Sequence, residues 1–211
     1  MELVEGNIPM AKFAEYMQQE PPKTIVEIGS LDGADAVYFK SQFPDARVIA
    51  IEGLPANYTS NLTKLKEIET YQMVINSYDG KTSFYQKELN GIHGIFDRGK
   101  EYPGDVLTLE CQRFDTFCSL NNIESVDAVK IDVEGATLEV LTGFGKMLST
   151  VRIMHIETEN SAFFTGQKLQ KHVQLFLIER GFTPLAIAGL VIEANKSQFD
   201  EVWVAKDYGV K

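Results

Sequence analysis

Apolar positions along this chain follow two alternating rhythms. TIVEIG (24–29), RVIAIE (47–52), VDAVKI (126–131) and VRIMHIE (151–157) are almost unbroken apolar, largely β-branched runs, as in strands buried on both faces. Between them the period lengthens. Ala36, Phe39 and Phe43 recur at helical spacing, as do Tyr58, Leu62, Leu65 and Ile68, and later Leu169, Val173, Phe176 and Leu177 over 167–180. A helix over 9–19 opens on Pro9, carries Met10, Phe13, Ala14 and Met17 on one face, and stops at Pro21-Pro22.

Other signals complete the order of elements. TYQMVI (70–75) reads as a third strand, and Asp79-Gly80 as a tight turn making a hairpin with KTSFYQ (81–86). VLTLE is a strand, 112–121 a helix, and another helix follows Gly135. FTPLAI and EVWVAK come last with no helix between them, which predicts an antiparallel hairpin at one edge. Alternating strands and helices predict one α/β domain over 1–211: a mostly parallel seven-stranded sheet with helices on both faces, preceded by a helical segment in 1–22. Residues 87–105 break the pattern with four glycines, one proline and no periodicity. That is a long loop, expected to act as a lid over a substrate.

Composition narrows the function. The formal net charge of -10 argues against nucleic acid and anionic membranes, which need clustered Lys and Arg. No run approaches the roughly 20 apolar residues of a membrane span. The N-terminal stretch has no basic n-region, so a cytoplasmic location is expected. Cys111 and Cys118, seven residues and so two turns apart on what reads as a single helix, are too distant for a disulfide and read as half-buried reduced thiols.

The candidate chemistry lies at the carboxyl ends of the strands, where α/β sheets bind ligands. Carboxylates close nearly all of these strands: Glu27 and Asp32 around the first, Glu52 on the second, Asp132 and Glu134 on the fourth, Glu157 and Glu159 on the fifth. Like charges brought to one rim repel unless a ligand or metal offsets them. In the first loop (EIGSLDG), Gly29 and Gly33 leave room for close approach of a ligand. Leu31 stands where a dinucleotide loop needs its central glycine, and Glu27 would repel a diphosphate but accept from an amine. Glu52 is spaced to accept from ribose hydroxyls. Amine plus ribose without phosphate describes S-adenosylmethionine better than NAD.

VEIGSLDG, IAIEGLPANY, DGKTSFY, RFDTF and above all VKIDVEGATLEVLTG resemble the FkbM type of class I S-adenosylmethionine-dependent methyltransferase over residues 24–206. Thr137 stands where that family usually has an acid, and Gly-Ser-Leu-Asp-Gly replaces its commoner Gly-Ala-Asn-x-Gly. The resemblance implies a Rossmann-like fold and O-methylation of a sugar, glycan or natural-product hydroxyl. It places Glu27, Gly29, Ser30, Gly33, Glu52, Ser77 and Asp132 at the cofactor. Asp132 and Glu134 are then candidate catalytic groups, and His93, placed in the loop with the resting pKa of a base, is either a third or an exposed loop histidine. Phe96 and Tyr102 of the same loop would either stack on a sugar ring or anchor the loop. Related metal-dependent O-methyltransferases suggest Mg²⁺ or Mn²⁺ on Asp132, Glu157, Glu159 and Asn160, all hard oxygen ligands. The alternative for the acids is helix capping and orientation of the acceptor. In KIDVEGA, strand alternation would turn Val133 into the sheet and leave Asp132 and Glu134 at the rim. His155 reads as a hydrogen-bonded core residue and His172 as solvated. An NAD(P)-dependent oxidoreductase and a non-catalytic binding domain remain as alternatives, and the oligomeric state is open.

Overall fold

The computed structural model describes residues 8–88, 91–193 and 196–206, so the expectations for 1–7, for Leu89 and Asn90 in the long loop, and for 207–211 lie outside the described residues. The predicted sheet is present. Its elements are α1 (Ile8–Gln19), β1 (Thr24–Ile28), α2 (Ala34–Gln42), β2 (Arg47–Glu52), α3 (Pro55–Ser60), β3 (Glu69–Gln72), β4 (Val74–Ile75), β5 (Gly80–Lys87) and β6 (Gly104–Gln112), followed by α4 (Phe114–Leu120), β7 (Ala128–Ile131), α5 (Thr137–Gly143), β8 (Ile153–Glu159), α6 (Gln170–Glu179), β9 (Phe182–Glu193) and β10 (Lys196–Ala205). Seven strands run in the order β3-β2-β1-β7-β8-β10-β9, parallel except for β10, which is antiparallel to both its neighbours.

Period-2 alternation divides the core in two. Val26, Ile28, Val129, Ile131, Met154 and Ile156 pack with Phe114, Phe117, Val140, Leu141, Val173 and Leu177 of α4, α5 and α6. Ile25, Ala128, Ile153 and Val202 face Phe13 and Met17 of α1 and Ala36 and Phe39 of α2. Phe13 meets Phe39 edge-on, with centroids 5.7 Å apart.

Four expectations are corrected. TYQMVI is not one strand: β3 stays in the main sheet beside β2, while Val74 and Ile75 leave it to pair with β6 and pack with Leu54, Phe84 and Cys111. The turn at Asp79-Gly80 does not pair β5 with the strand before it. β5 pairs antiparallel with β6, from Gly80↔Cys111 to Lys87↔Gly104, so the long loop is the connection of that hairpin. Cys111 therefore lies on β6 and Cys118 on α4, both fully buried, and burial pushes the Cys118 thiol up to about 12. The helix expected around Tyr58, Leu62, Leu65 and Ile68 shrinks to α3 plus a 3₁₀ turn over Leu62–Lys64.

Candidate active site

An open cavity lies at the carboxyl ends of β1, β2, β7 and β8, where α/β sheets bind ligands. Gly29 and Leu31 of the first loop, Glu52, and Asp132, Val133 and Glu134 wall it on the sheet side. Gly91, His93, Gly94 and Ile95 of the long loop close the other side, held by a two-way backbone pairing of Gly94 with Tyr85.

Glu52 is 6 % exposed and lines the cavity. One of its oxygens accepts from Leu31 N at 2.8 Å and the other from Leu54 N at 2.7 Å, so the carboxylate ties the first loop to the start of α3. Each oxygen keeps a lone pair for a ligand. Burial raises its pKa. Beside it, Asn57 also lines the cavity, and its buried Nδ2 finds no hydrogen-bond partner among the described residues. The sequence reading passed over Asn57 within IEGLPANY, although five residues past Glu52 and one short helical turn put the two together.

The end of β7 differs from the expectation. The strand stops at Ile131, short of these residues; Asp132, Val133 and Glu134 all line the cavity, while Val133 also packs against the core of the sheet as expected. Glu134 takes φ 51 and Gly135 φ 83, left-handed values that only glycine adopts freely. The local strain at Glu134 breaks the alternation and turns its carboxyl inward. Gly29 is required for a related reason. A Cβ there would sit 1.7 Å from the Asp132 carbonyl oxygen, so this glycine allows close approach of β7 rather than of a ligand alone.

One carboxylate oxygen from each of Asp132, Glu134 and Glu157 lies within 4.8 Å of the others. Glu157 is buried beside the cavity; one oxygen accepts from Gln198, and buried Oε1 has no partner among the described residues. Burial, and then the charge of Asp132, raise the Glu157 pKa well above its usual value and push Glu134 up to about 8. Burial likewise brings Glu159 to about 7. Asp132 is anchored by Lys130 Nζ at 3.1 Å, and Arg98 approaches Glu134 at 3.7 Å. Such an oxygen-only set suits a hard divalent cation.

Several predicted residues lie away from the cavity wall. Glu27, 2 % exposed, points under α2 and accepts from Ala36 N at 3.1 Å, so it caps a helix instead of meeting an amine in the cavity. Ser30 is buried against Glu27 O, and Gly33 starts α2 beneath the Leu65 side chain. Ser77 is held at Asn76, and its carbonyl accepts from Arg113. Glu159 accepts from Gln167, and Asn160 exchanges hydrogen bonds with Ser197 across β10, so neither belongs to the three-oxygen cluster; Glu134 takes their place. His93 does line the cavity. Its Nδ1 accepts from Lys87 N at 3.1 Å, so the neutral ring carries its proton on Nε2 and is a donor, not a base, while burial lowers its pKa. His155 is buried without a hydrogen bond, its Nε2 3.6 Å from Asp200, because no described group reaches it under α1. His172 is exposed on α6, its Nδ1 accepting from Leu169 N.

Comparison with known proteins gives this geometry a family. Residues 27–184 match the Methyltransferase FkbM domain, more than half of the chain. The 2-O-methyltransferase NoeI of Sinorhizobium fredii (strain NBRC 101917 / NGR234) is 25% identical over 166 residues, 71% of this chain and 68% of NoeI. An O-methyltransferase from Bacillus cereus in complex with S-adenosylhomocysteine superposes with TM-score 0.56 at 11% identity, covering 97% of this chain and 84% of that one. TomG, the Streptomyces achromogenes O-methyltransferase of tomaymycin synthesis, gives 0.53 at 13% identity over 97% of this chain and 82% of its own. At such identities the solved structures show the fold, that of class I methyltransferases. The chain belongs to the FkbM methyltransferase family and is an S-adenosylmethionine-dependent methyltransferase.

Proposed function

We propose that this chain is an O-methyltransferase acting on a hydroxyl of a sugar, glycan or natural-product scaffold, aided by Mg²⁺ or Mn²⁺. The observation that carries the reading is the cluster of Asp132, Glu134 and Glu157 in the cavity, with the Glu157 Oε1 buried and unpartnered. An orphaned buried carboxylate oxygen costs free energy unless something meets it, and a hard cation would. The similarity to NoeI, whose name specifies 2-O-methylation, supports oxygen as the atom methylated.

S-Adenosylmethionine supplies an already activated methyl group, so the demand on the protein is a nucleophilic, well-placed acceptor oxygen. A divalent ion on the three carboxylates would act as a Lewis acid and make an acceptor hydroxyl easier to deprotonate. The chain's own residues do the rest. Glu52 and Asn57 take the ribose end of the cofactor. Lys130 fixes the Asp132 carboxylate through Oδ2. His93, with its proton on Nε2, donates to the ligands under the loop. Loop residues Gly94 and Ile95, held by the pairing of Gly94 with Tyr85, exclude water from that side of the cavity.

The test is transfer of labelled methyl from S-adenosylmethionine to a panel of glycosides and hydroxylated aglycones, with and without EDTA. Transfer to oxygen that fails in EDTA and returns with Mg²⁺ or Mn²⁺ is the expected result. Full turnover in EDTA would remove the metal and leave Asp132 or Glu134 to position the acceptor. Absence of transfer to every hydroxyl, from enzyme that binds S-adenosylhomocysteine, would overturn O-methylation.

A further inference from the structure

Arg98 is the only cation within 4 Å of the three-carboxylate cluster besides Lys130, among the described residues, and it comes from the long loop rather than the sheet. Its surroundings are unusual. The guanidinium lies 4.7 Å from the Tyr102 ring centroid, 5.5 Å from Phe163 and 5.2 Å from Phe164. Its side chain is only 14% exposed. Yet it makes no hydrogen bond to a described residue, and its approach to Glu134, at 3.7 Å, is too long for one. A guanidinium has five N–H donors in a fixed planar fork. The aromatic rings set the orientation of that fork and leave its edge unused.

A second cation lies against one of the same rings. Lys196, at the start of β10, lies 5.4 Å from the centroid of Phe163. The protein carries a net charge of -10, so two cations gathered around one ring at the site run against its overall field. The two segments that build the cluster are joined: Thr165 N donates to Asp97 O at 2.8 Å, and Phe96 packs on Gly166. The arrangement is therefore held in place before any acceptor arrives.

Resting on the carbohydrate O-methylation proposed above, we infer that Arg98, with Lys196 and the Tyr102 and Phe163 rings, forms an acceptor subsite for an acidic sugar. The Tyr102 and Phe163 rings hold the two cations in place beside the sugar. The Arg98 fork takes a carboxylate two-pronged, the geometry in which it binds carboxylates most strongly. Glu134, engaged with the metal, would no longer compete for Arg98.

The experiment compares paired methyl hexopyranosides and methyl hexopyranosiduronates of the gluco, galacto and manno series. Binding is measured by calorimetry on enzyme saturated with S-adenosylhomocysteine and Mg²⁺, and methyl transfer is measured alongside. Wild type should prefer at least one uronate over its neutral partner. Arg98→Gln should weaken that uronate about ten- to a hundred-fold, the span of a charge-assisted hydrogen bond, while leaving the neutral glycoside and the cofactor within two-fold. Arg98→Lys, which keeps the charge but loses the fork, should fall between them. A melting temperature close to wild type and unchanged cofactor affinity exclude simple loss of the loop. Neutral and acidic sugars bound equally by wild type, or weakened equally by Arg98→Gln, would overturn the acidic subsite and leave sugar O-methylation standing. If transfer goes only to non-sugar hydroxyls, the carbohydrate reading falls and the subsite with it.

Discussion

Glu27, Lys130 and His155 stand abreast on β1, β7 and β8, paired in register beneath α1 and α2. Two or more residues further along the same chain segments, Asp132, Glu134 and Glu157 gather around the cavity. Both sets are titratable groups taken largely out of water, but they are treated differently. In the row, Lys130 bonds Asp35 at 2.9 Å and Asp132 at 3.1 Å, Glu27 accepts from a helix N–H, and His155 is kept neutral by burial, its pKa lowered to about 4. In the cavity, three carboxylates face one another, one oxygen is unpartnered, and the backbone at Glu134 is left-handed. The row answers its charges within the chain: its one unpartnered group, the neutral His155 ring, carries none. The cavity is complete only with something added. Buried charge left without an internal partner is costly, so its position marks where a ligand enters.

Asp132 touches both sets, and it gives the largest expected effect. Asp132→Asn should lower turnover at least 100-fold, about 2.7 kcal/mol in the barrier, with S-adenosylhomocysteine affinity nearly unchanged. Asp35→Asn removes the other partner of Lys130 and should do the reverse: a loss of about 1 kcal/mol in stability, since Asp35 is partly exposed, and turnover within a few-fold of wild type. Steady-state kinetics and thermal unfolding on both variants decide. Equal losses of turnover would mean that the row and the cavity act as one network.

The next effect concerns the cofactor end. Glu52→Ala should weaken S-adenosylhomocysteine by about 1.5–3 kcal/mol, and Asn57→Ala, which removes a neutral donor, by about 0.5–1.5 kcal/mol. Calorimetry on each folded variant, with Ser77→Ala as a control away from the cavity wall, reads the order directly. Affinity unchanged in Glu52→Ala would place the ribose elsewhere.

These contrasts explain which features were readable in the sequence. Unbroken apolar strands announce a parallel sheet, because each must be buried on both faces, and KIDVEGA and IAIEG show which strand ends carry acids. Three things were not local. Whether Glu27 faces the cavity or a helix depends on which sheet face each strand residue takes, and period-2 alternation alone does not say. The exit of β4 from the main sheet is set by Phe84 and Cys111, brought from distant positions. The inward turn of Glu134 follows from a left-handed backbone that breaks the alternation. Arg98 was hidden for the same reason: its aromatic partners Phe163 and Phe164 belong to a segment more than sixty residues away.

The smallest effect is a slope with pH, and it tests whether the row is as self-contained as its contacts imply. Burial raises the Glu27 pKa from 4.5 to about 8 against the opposing pull of Lys130, whose ammonium bonds Asp35 and Asp132 rather than Glu27. Below the unfolded value both states hold the Glu27 proton. Between about 4.5 and about 8 the unfolded chain releases it while the folded chain keeps it, so the stability from this group falls as pH rises and is lost above the folded value. Glu27→Gln retains a carbonyl oxygen for Ala36 N but cannot ionise. The stability of wild type minus that of Glu27→Gln should therefore decline steadily from pH 5 to pH 8 and then level off, as read by denaturant unfolding at each pH. The other raised carboxyls are common to both proteins and cancel in the difference. A difference that instead grows with pH would mean that Lys130 holds Glu27 ionised, and that the row, like the cavity, carries a charge its neighbours must answer.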